Sequence, residues 1–250
     1  MSRQILFVSG VPRSGTTALV KLLNLHPAMM IGTERYFEPI RADALEPAMF
    51  ERARFLDVRK EDCHGRGFQI PPADWGARYD AARVIGDKFP RLYAHLDTIE
   101  ARFPRARHLY VFRNPLSVAE SYESRRTDPG DHWVKGWREA LGDWNASLAR
   151  FAGLFPGAGG RVLLLPYEDT FGSGGAMRRG FAWLELTPPP RARLAPLAED
   201  YARLSASVGP RHETMRRAIS AGADWATYAR LTRIAAGQAR AIDGGERGSV

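Results

Sequence analysis

Gly10-Val11-Pro12-Arg13-Ser14-Gly15-Thr16-Thr17 sets two glycines, three hydroxyls and one cation between an apolar run and a helical pattern. A Gly-rich turn in that setting aims backbone N–H groups and the positive end of a helix dipole at a phosphate. The spacing is that of the nucleoside-triphosphate loop G-x-x-x-x-G-K-[ST], with one change. Thr16 stands where the Lys would reach the β- and γ-phosphates, and Arg13, earlier in the loop, is the cation instead. Arg13, Ser14, Gly15, Thr16 and Thr17 are therefore expected to hold a phosphate or a similar anion, but not the transferred end of ATP.

Three more charged residues fall where strands should end. Lys88 follows the apolar run Arg83-Val84-Ile85-Gly86, Arg113 follows Arg107–Phe112, and Glu34 is expected after a second short strand beside the loop. Ligands of open α/β sheets bind beyond the carboxyl ends of the strands. These side chains and the loop should then share one crevice.

The elements that must position them alternate. Gln4–Ser9 is a short apolar run closed by Gly10, the sign of a buried parallel strand. Thr17–Leu25 repeats apolar residues at helical spacing, and His26-Pro27 should end that helix, because a residue before Pro is pushed out of the α region. Residues 36–62 read as helix with breaks at Pro39 and Pro47, and Gly65–Pro72 as loop. Leu92–Phe103, Leu116–Arg125 and Trp133–Phe155 read as helices, the last with Trp137, Leu141, Trp144 and Leu148 on one face. Gly157–Gly160 should break it before a strand at Val162–Leu165, with loops at 172–175 and Pro188–Pro190. Strands alternating with helices predict an α/β fold, a P-loop-like three-layer sandwich with a mostly parallel central sheet flanked by helices. No composition break divides the 250 residues, so residues 1–243 are expected to form one domain and 244–250 a polar tail.

The net charge is +8, and of the 36 basic residues only Lys21, Lys60, Lys88 and Lys135 are Lys. A GC-rich genome or a preference for bidentate contacts to phosphate and sulfate would each produce that bias toward Arg. A basic balance suits an anionic ligand. No basic run is interleaved with aromatics, so nucleic acid is not expected. Hydrophobic residues at 44% and charged residues at 26% exclude a disordered chain, a collagen or a coiled coil. No apolar run approaches the ~20 residues that span a bilayer, and the start lacks the apolar core and cleavage site of a signal peptide. Cys63, the single cysteine, cannot form an internal disulfide. A cytoplasmic setting is the expectation. No Asp, His and Cys residues cluster at metal-ligand spacing, so no metal is assigned.

Pro12-Arg13-Ser14-Gly15-Thr16-Thr17 after a first strand resembles the phosphosulfate loop of the sulfotransferases, which use 3′-phosphoadenosine-5′-phosphosulfate (PAPS) and release PAP. Tyr110-Val111-Phe112-Arg113-Asn114-Pro115-Leu116-Ser117-Val118-Ala119-Glu120-Ser121-Tyr122 is similar to the family's strand–turn–helix for the 3′-phosphate. That resemblance implies that Arg113 and Ser121 grip this phosphate. Arg125, four residues after the Ser, matches a PAPS-contacting Arg of the protein-tyrosine enzymes. Leu164-Leu165-Pro166-Tyr167-Glu168-Asp169 looks like the family segment whose Tyr, here Tyr167, packs near the adenine. Gly222-Ala223-Asp224-Trp225 is a poor match to a loop that closes over the nucleotide, with Asp224 where a basic residue is usual. Arg211, Arg216 or Arg217 would have to supply that cation. The resemblance is good over roughly residues 4–170 and thin beyond.

Two segments bear on the chemistry. Leu25-His26-Pro27 with Gly32-Thr33-Glu34-Arg35-Tyr36-Phe37 resembles the region that supplies a catalytic Glu in protein-tyrosine and heparan-type sulfotransferases. This implies Glu34 as general base, with Glu38 its competitor. Gly86-Asp87-Lys88-Phe89-Pro90 departs from the cytosolic phenol and steroid enzymes, whose His base would stand at Lys88. A Lys beside a sulfonate and phosphates favours its charged form, so Lys88 is expected to work with Arg13 as an electrophile. His26, His95 and His108 are left as structural. The implied activity is in-line transfer from PAPS to a hydroxyl on a small molecule, glycan or peptide tyrosine. Tyr36, Phe37, Phe68, Trp75, Tyr79 and Trp133 either line an acceptor pocket or pack the core. Two rivals stay open: a P-loop-type kinase of a small metabolite or nucleoside, and a non-catalytic PAP(S)-binding module.

Overall fold

β1 (Gln4–Ser9) is the middle strand of a five-stranded parallel sheet in a computed structural model that describes residues 3–63, 73–206 and 213–245. The sheet order is β2 (Met29–Thr33), β3 (Val84–Lys88), β1, β4 (Arg107–Phe112), β5 (Val162–Pro166). From β1 the chain goes to the edge strand β2, returns to insert β3 beside β1, and then crosses to the other side for β4 and β5. That reversal leaves the carboxyl end of β1 between those of β3 and β4, the position where α/β sheets open a crevice. Register places Val8 beside Lys88 and Ser9 beside Tyr110, three residues before Arg113, so β4 carries Arg113 past the end of β1 alongside the loop that follows it.

The strands are mostly apolar because both faces are covered, with Asp87 and Lys88 of β3 as buried charged exceptions. Phe7, Tyr110, Phe112 and Leu164 enter one core, and Leu6, Val8, Leu109, Val111 and Leu165 enter the other. The first is packed by α2 (Phe37–Arg41), α3 (Arg52–Leu56), α4 (Trp75–Ala81), α5 (Leu96–Arg102), α6 (Pro115–Arg126) and α7 (Trp137–Ala158). The second is packed by α1 (Thr16–Leu23), α8 (Gly175–Trp183) and α9 (Arg191–Ala206). α10 (Glu213–Gly222) and α11 (Trp225–Asp243) complete the first layer. The expected three-layer arrangement is the observed one.

Both outer strands are closed by a side-chain amide. Asn24 donates to the Ile31 carbonyl at 2.8 Å and accepts from its N–H at 2.9 Å, capping β2. Gln238 does the same for β5, accepting from Leu164 N–H at 3.0 Å and donating to Val162 O at 2.6 Å. Exposed sheet edges invite pairing with other chains, and these amides occupy the ladder groups.

Several boundaries differ from expectation. α1 stops at Leu23 and not at His26-Pro27, because Asn24 turns its side chain to β2. Pro39 does not break a helix but sits in the first turn of α2, where its missing N–H has no intrahelical partner to lose. Leu92–His95 is a 3₁₀ turn ahead of α5. α7 begins at Trp137 and not Trp133, since Asp128 and Asp131 accept from Gly130 and Trp133 N–H groups and hold the preceding residues in turns. It then runs past the expected stop through Pro156 to Ala158. Asp169–Ser173 forms a π-helical turn, and α8 starts at Gly175, where a loop was expected. The expected loop at Gly65–Pro72, Phe68, Arg211 and residues 246–250 lie outside the described residues. Among the described residues no helix is long and apolar enough to cross a membrane.

Candidate active site

The loop between β1 and α1 turns sharply at two residues with positive φ, Arg13 at 71° and Gly15 at 88°. Gly15 has a second reason to lack a side chain: a Cβ would stand 2.6 Å from the Tyr167 ring. Tyr167, just after β5, is thus packed directly against the loop. The first-turn N–H groups of α1 have no intrahelical acceptors and carry the positive end of its dipole. Ser14 Oγ is buried without a hydrogen-bond partner, Thr16 is buried and Thr17 is exposed.

Arginines gather at the mouth of this loop. Arg13 Nε donates to Ser121 Oγ at 3.0 Å, although 108 residues separate them. Arg113 Nη1 donates to the Arg13 carbonyl at 3.4 Å, and its guanidinium lies 4.3 Å from the centre of the Tyr167 ring. Arg113 is fixed through its backbone, whose carbonyl accepts from Trp144 Nε1 at 2.9 Å. Asn114 then caps α6 by accepting from Leu116 N–H. Ser121 and Arg125 are one turn apart on α6 and so share a face. Arg125 pairs with Asp131, its Nη2 lying 2.7 Å from Oδ1, and stacks over Trp133. Loss of solvent lowers the pKa of Arg13, and the Arg125 and Arg113 charges push the same way against Asp131. Among the described residues no carboxylate pairs with Arg13. An anion arriving here would relieve the mutual repulsion of three cations.

On the other side of β1, Lys88 and Glu34 meet. Lys88 Nζ lies 2.6 Å from Glu34 Oε1, with the Lys88 side chain 2% exposed and that of Glu34 30%. β3 runs two residues beyond the expected Gly86, so Lys88 is inside the strand and opposite Thr33 of β2. Glu34 is the next residue, held in a left-handed conformation at φ 54°, its N–H donating to Lys88 O at 2.8 Å. The neighbouring Asp87 is fully buried, and burial pushes its carboxyl up to about 6.

The structure brings Arg13, Ser14, Gly15, Thr16, Arg113, Ser121 and Tyr167 together at the loop. Glu34 and Lys88 meet on the adjoining strand ends, and Arg125 stands one turn past Ser121. Glu38 points its charge elsewhere, pairing with Arg41 at 2.8 Å. Asp224 caps α11 by accepting from Thr227 N–H at 2.9 Å, which explains an acid at that place. Arg216 and Arg217 lie on α10 and pair with Glu213. His26, His95 and His108 have structural partners in Ala28 N–H, Asp43 and Glu100. Tyr36 and Tyr79 are core residues, whereas Phe37, Trp75 and Trp133 are half-buried. Sequence reasoning passed over Asp87 and Asp131. A carboxylate inside an otherwise apolar strand was the signal for Asp87. Among the described residues no group of acids, His or Cys is arranged to hold a metal ion.

The profile of the sulfotransferase family matches residues 5–187. Nodulation protein NoeE of Sinorhizobium fredii is 33% identical over 136 residues, 48% of this chain and 31% of that protein. Protein-tyrosine sulfotransferase 1 of Homo sapiens is 26% identical over 152 residues, 58% of this chain and 40% of that one. The chain therefore spans well under half the length of these curated relatives. In structure it is similar to the sulfotransferase domain of the Synechococcus PCC 7002 olefin synthase, with a TM-score of 0.52, 21% identity and coverage of 88% and 87%. A sulfotransferase from Alicyclobacillus acidocaldarius gives a TM-score of 0.50, 19% identity and coverage of 86% and 100%. These two share its fold. The family resemblance read from the motifs is borne out, and the curated relatives include protein-tyrosine enzymes.

Proposed function

Because the chain belongs to the sulfotransferase family, we propose that it moves a sulfuryl group from PAPS to an acceptor hydroxyl by in-line displacement, with Glu34 as general base. The observation that carries this reading is the contact of Glu34 with Lys88 at the strand ends beside the loop. The loop suits such a nucleotide: Ser14 Oγ is buried and unpartnered, and Arg13 has no carboxylate partner among the described residues. Arg113 and Ser121 would take the 3′-phosphate, Arg13 and the first turn of α1 the 5′-phosphosulfate, and Arg125 would add charge one turn away. Tyr167, against Gly15 and under Arg113, would flank the adenine end.

In this reading the acceptor O–H gives its proton to Glu34 while its oxygen bonds to sulfur, and the bond from sulfur to the bridging phosphate oxygen breaks with its electron pair. A protonated Glu34 no longer neutralises Lys88, so the ammonium becomes available to the charge growing on that bridging oxygen. Arg13 would assist from the loop. The acceptor is proposed only as a hydroxyl, on a small molecule, a glycan or a peptide tyrosine.

Mass spectrometry of co-purified nucleotide, followed by calorimetric titration of PAP and ADP, tests the reading. Tighter binding of PAP supports it. Tighter binding of ADP would instead favour the kinase alternative, against which Thr16 stands in place of the loop Lys. PAP binding without transfer of labelled sulfur to any hydroxyl would favour a non-catalytic module.

A further inference from the structure

We propose that Asp87 is a positioning residue that fixes the backbone of Glu34, so that the base is presented from a conformation it would not otherwise hold. The inference rests on Glu34 acting as the base. Glu34 sits at φ 54°, the left-handed region that a residue with a Cβ avoids. Such conformations persist only where surrounding contacts over-determine them. Here two of those contacts come from one buried carboxylate. Asp87 Oδ1 accepts from Arg35 N–H at 3.2 Å, and Oδ2 accepts from Tyr36 N–H at 2.9 Å. Oδ1 also accepts from Lys88 N–H at 2.9 Å, which ties the carboxylate to its own strand. The Glu34 N–H itself donates to Lys88 O.

Three successive N–H groups after β2 are thus held by two successive residues of β3. Asp87 holds the Arg35 and Tyr36 N–H groups, and Lys88 holds Glu34 at both its N–H and its side chain. The sequence leaves room for this: a Cβ on Gly32 would come within 2.7 Å of Asp87 Oδ1 and 3.0 Å of Arg35 Cβ. The arrangement also accounts for a fully buried carboxylate with no cation touching its oxygens among the described residues. Its ligands are N–H groups of the turn that carries the base, and unmet donors at a buried turn are costly.

The test is a double-mutant cycle. Asp87→Asn keeps the shape but turns an N–H₂ toward a backbone donor. It should lower turnover from PAPS about 10- to 100-fold, with PAP affinity changed less than about threefold. In a Glu34→Gln background the same change should cost less than about twofold, because the group being positioned has already lost its function. Hydrogen exchange of the Arg35 and Tyr36 amides should speed up at least about tenfold. Gly32→Ala, which pushes the carboxylate aside without removing it, should reproduce the turnover loss and the faster exchange, and decides the matter if Asp87→Asn does not melt cooperatively. Losses that multiply in the Glu34→Gln background, or unchanged amide exchange, would overturn the proposal. Wild-type protein that transfers no sulfur from PAPS would defeat the functional reading, while the exchange measurement would still show whether Asp87 clamps the turn.

Discussion

Lys88 and Glu34 form an ion pair of unequal burial: the ammonium is enclosed and the carboxylate faces partly outward. A buried cation is tolerated when a carboxylate neutralises it, and removal of one partner strands the other. The two sit at the ends of adjacent parallel strands, so the pair also fastens β2 to β3 where the crevice opens.

The asymmetry predicts unequal stability losses. Glu34→Ala leaves the enclosed ammonium unpaired and should cost about 1–3 kcal/mol. Lys88→Met removes the enclosed charge and leaves an outward carboxylate, so it should cost less. Urea denaturation of both variants checks the order. A Lys88→Met protein less stable than Glu34→Ala would contradict it.

Arg113→Ala should remove a charge-assisted contact worth about 1.5–3 kcal/mol and weaken PAP binding by one to two decades. Arg113→Lys should recover only part of this, because a point charge can neither fork onto a phosphate nor stack on Tyr167 as a guanidinium does. Calorimetry with PAP and adenosine 5′-phosphosulfate measures the effect. An Arg113→Ala protein that keeps the wild-type preference for PAP would remove the residue from the 3′-phosphate.

Gly15→Ala forces a Cβ both into the left-handed region and against the Tyr167 ring. The conformational term alone is about 1–2 kcal/mol, and overpacking typically adds about 1–3 kcal/mol. Thermal melting should show the loss, and PAP affinity should fall with it. A variant with unchanged melting temperature would mean that Tyr167 does not close on the loop.

Stability should respond to acid through two carboxylates of opposite sign. Burial alone would raise the Glu100 carboxyl, but hydrogen bonds and charge from His108 and Arg161 hold it at about 2 against an ordinary 4.5. A depressed folded value gives stability that is present above 4.5 and lost as pH falls toward 2, here about 3 kcal/mol. Asp87 is the reverse: burial lifts it from 3.8 to about 6, so its contribution is present below 3.8 and lost as pH rises through 6. Urea melts from pH 3 to 8 should show a shallower acid limb for Glu100→Gln. Asp87→Asn should remove the gain that the wild type makes on passing from pH 7 to 5. An acid limb in Glu100→Gln as steep as wild type would rule out that pairing.

The loop, the strand ends and the family were legible because they rest on local patterns. Glycines, hydroxyls and Arg13 lie within eight residues, and the Arg113–Ser121 spacing is one strand end and two helical turns. The contact between Glu34 and Lys88 is different. It needs β2 and β3 to be neighbours in matched register, which no single segment states. Asp87 is visible in the sequence only as a carboxylate in an apolar strand, and its role is not, since its partners are backbone groups 51 and 52 residues away. Helix ends differ where a side chain competes for the backbone or is drawn elsewhere, as Asn24 is by β2 and as Asp131 holds Trp133 N–H in a turn.

The most direct measurement is the rate of labelled sulfur transfer from PAPS by wild type and Glu34→Gln, with PAP affinity determined on the same preparations and an acceptor first found by screening hydroxyl compounds. Glu34→Gln keeps shape and removes only the proton acceptor. Turnover should fall by about 10²–10⁴ with PAP affinity nearly intact. A Glu34→Gln protein that retains more than about a tenth of wild-type turnover would take Glu34 out of the mechanism.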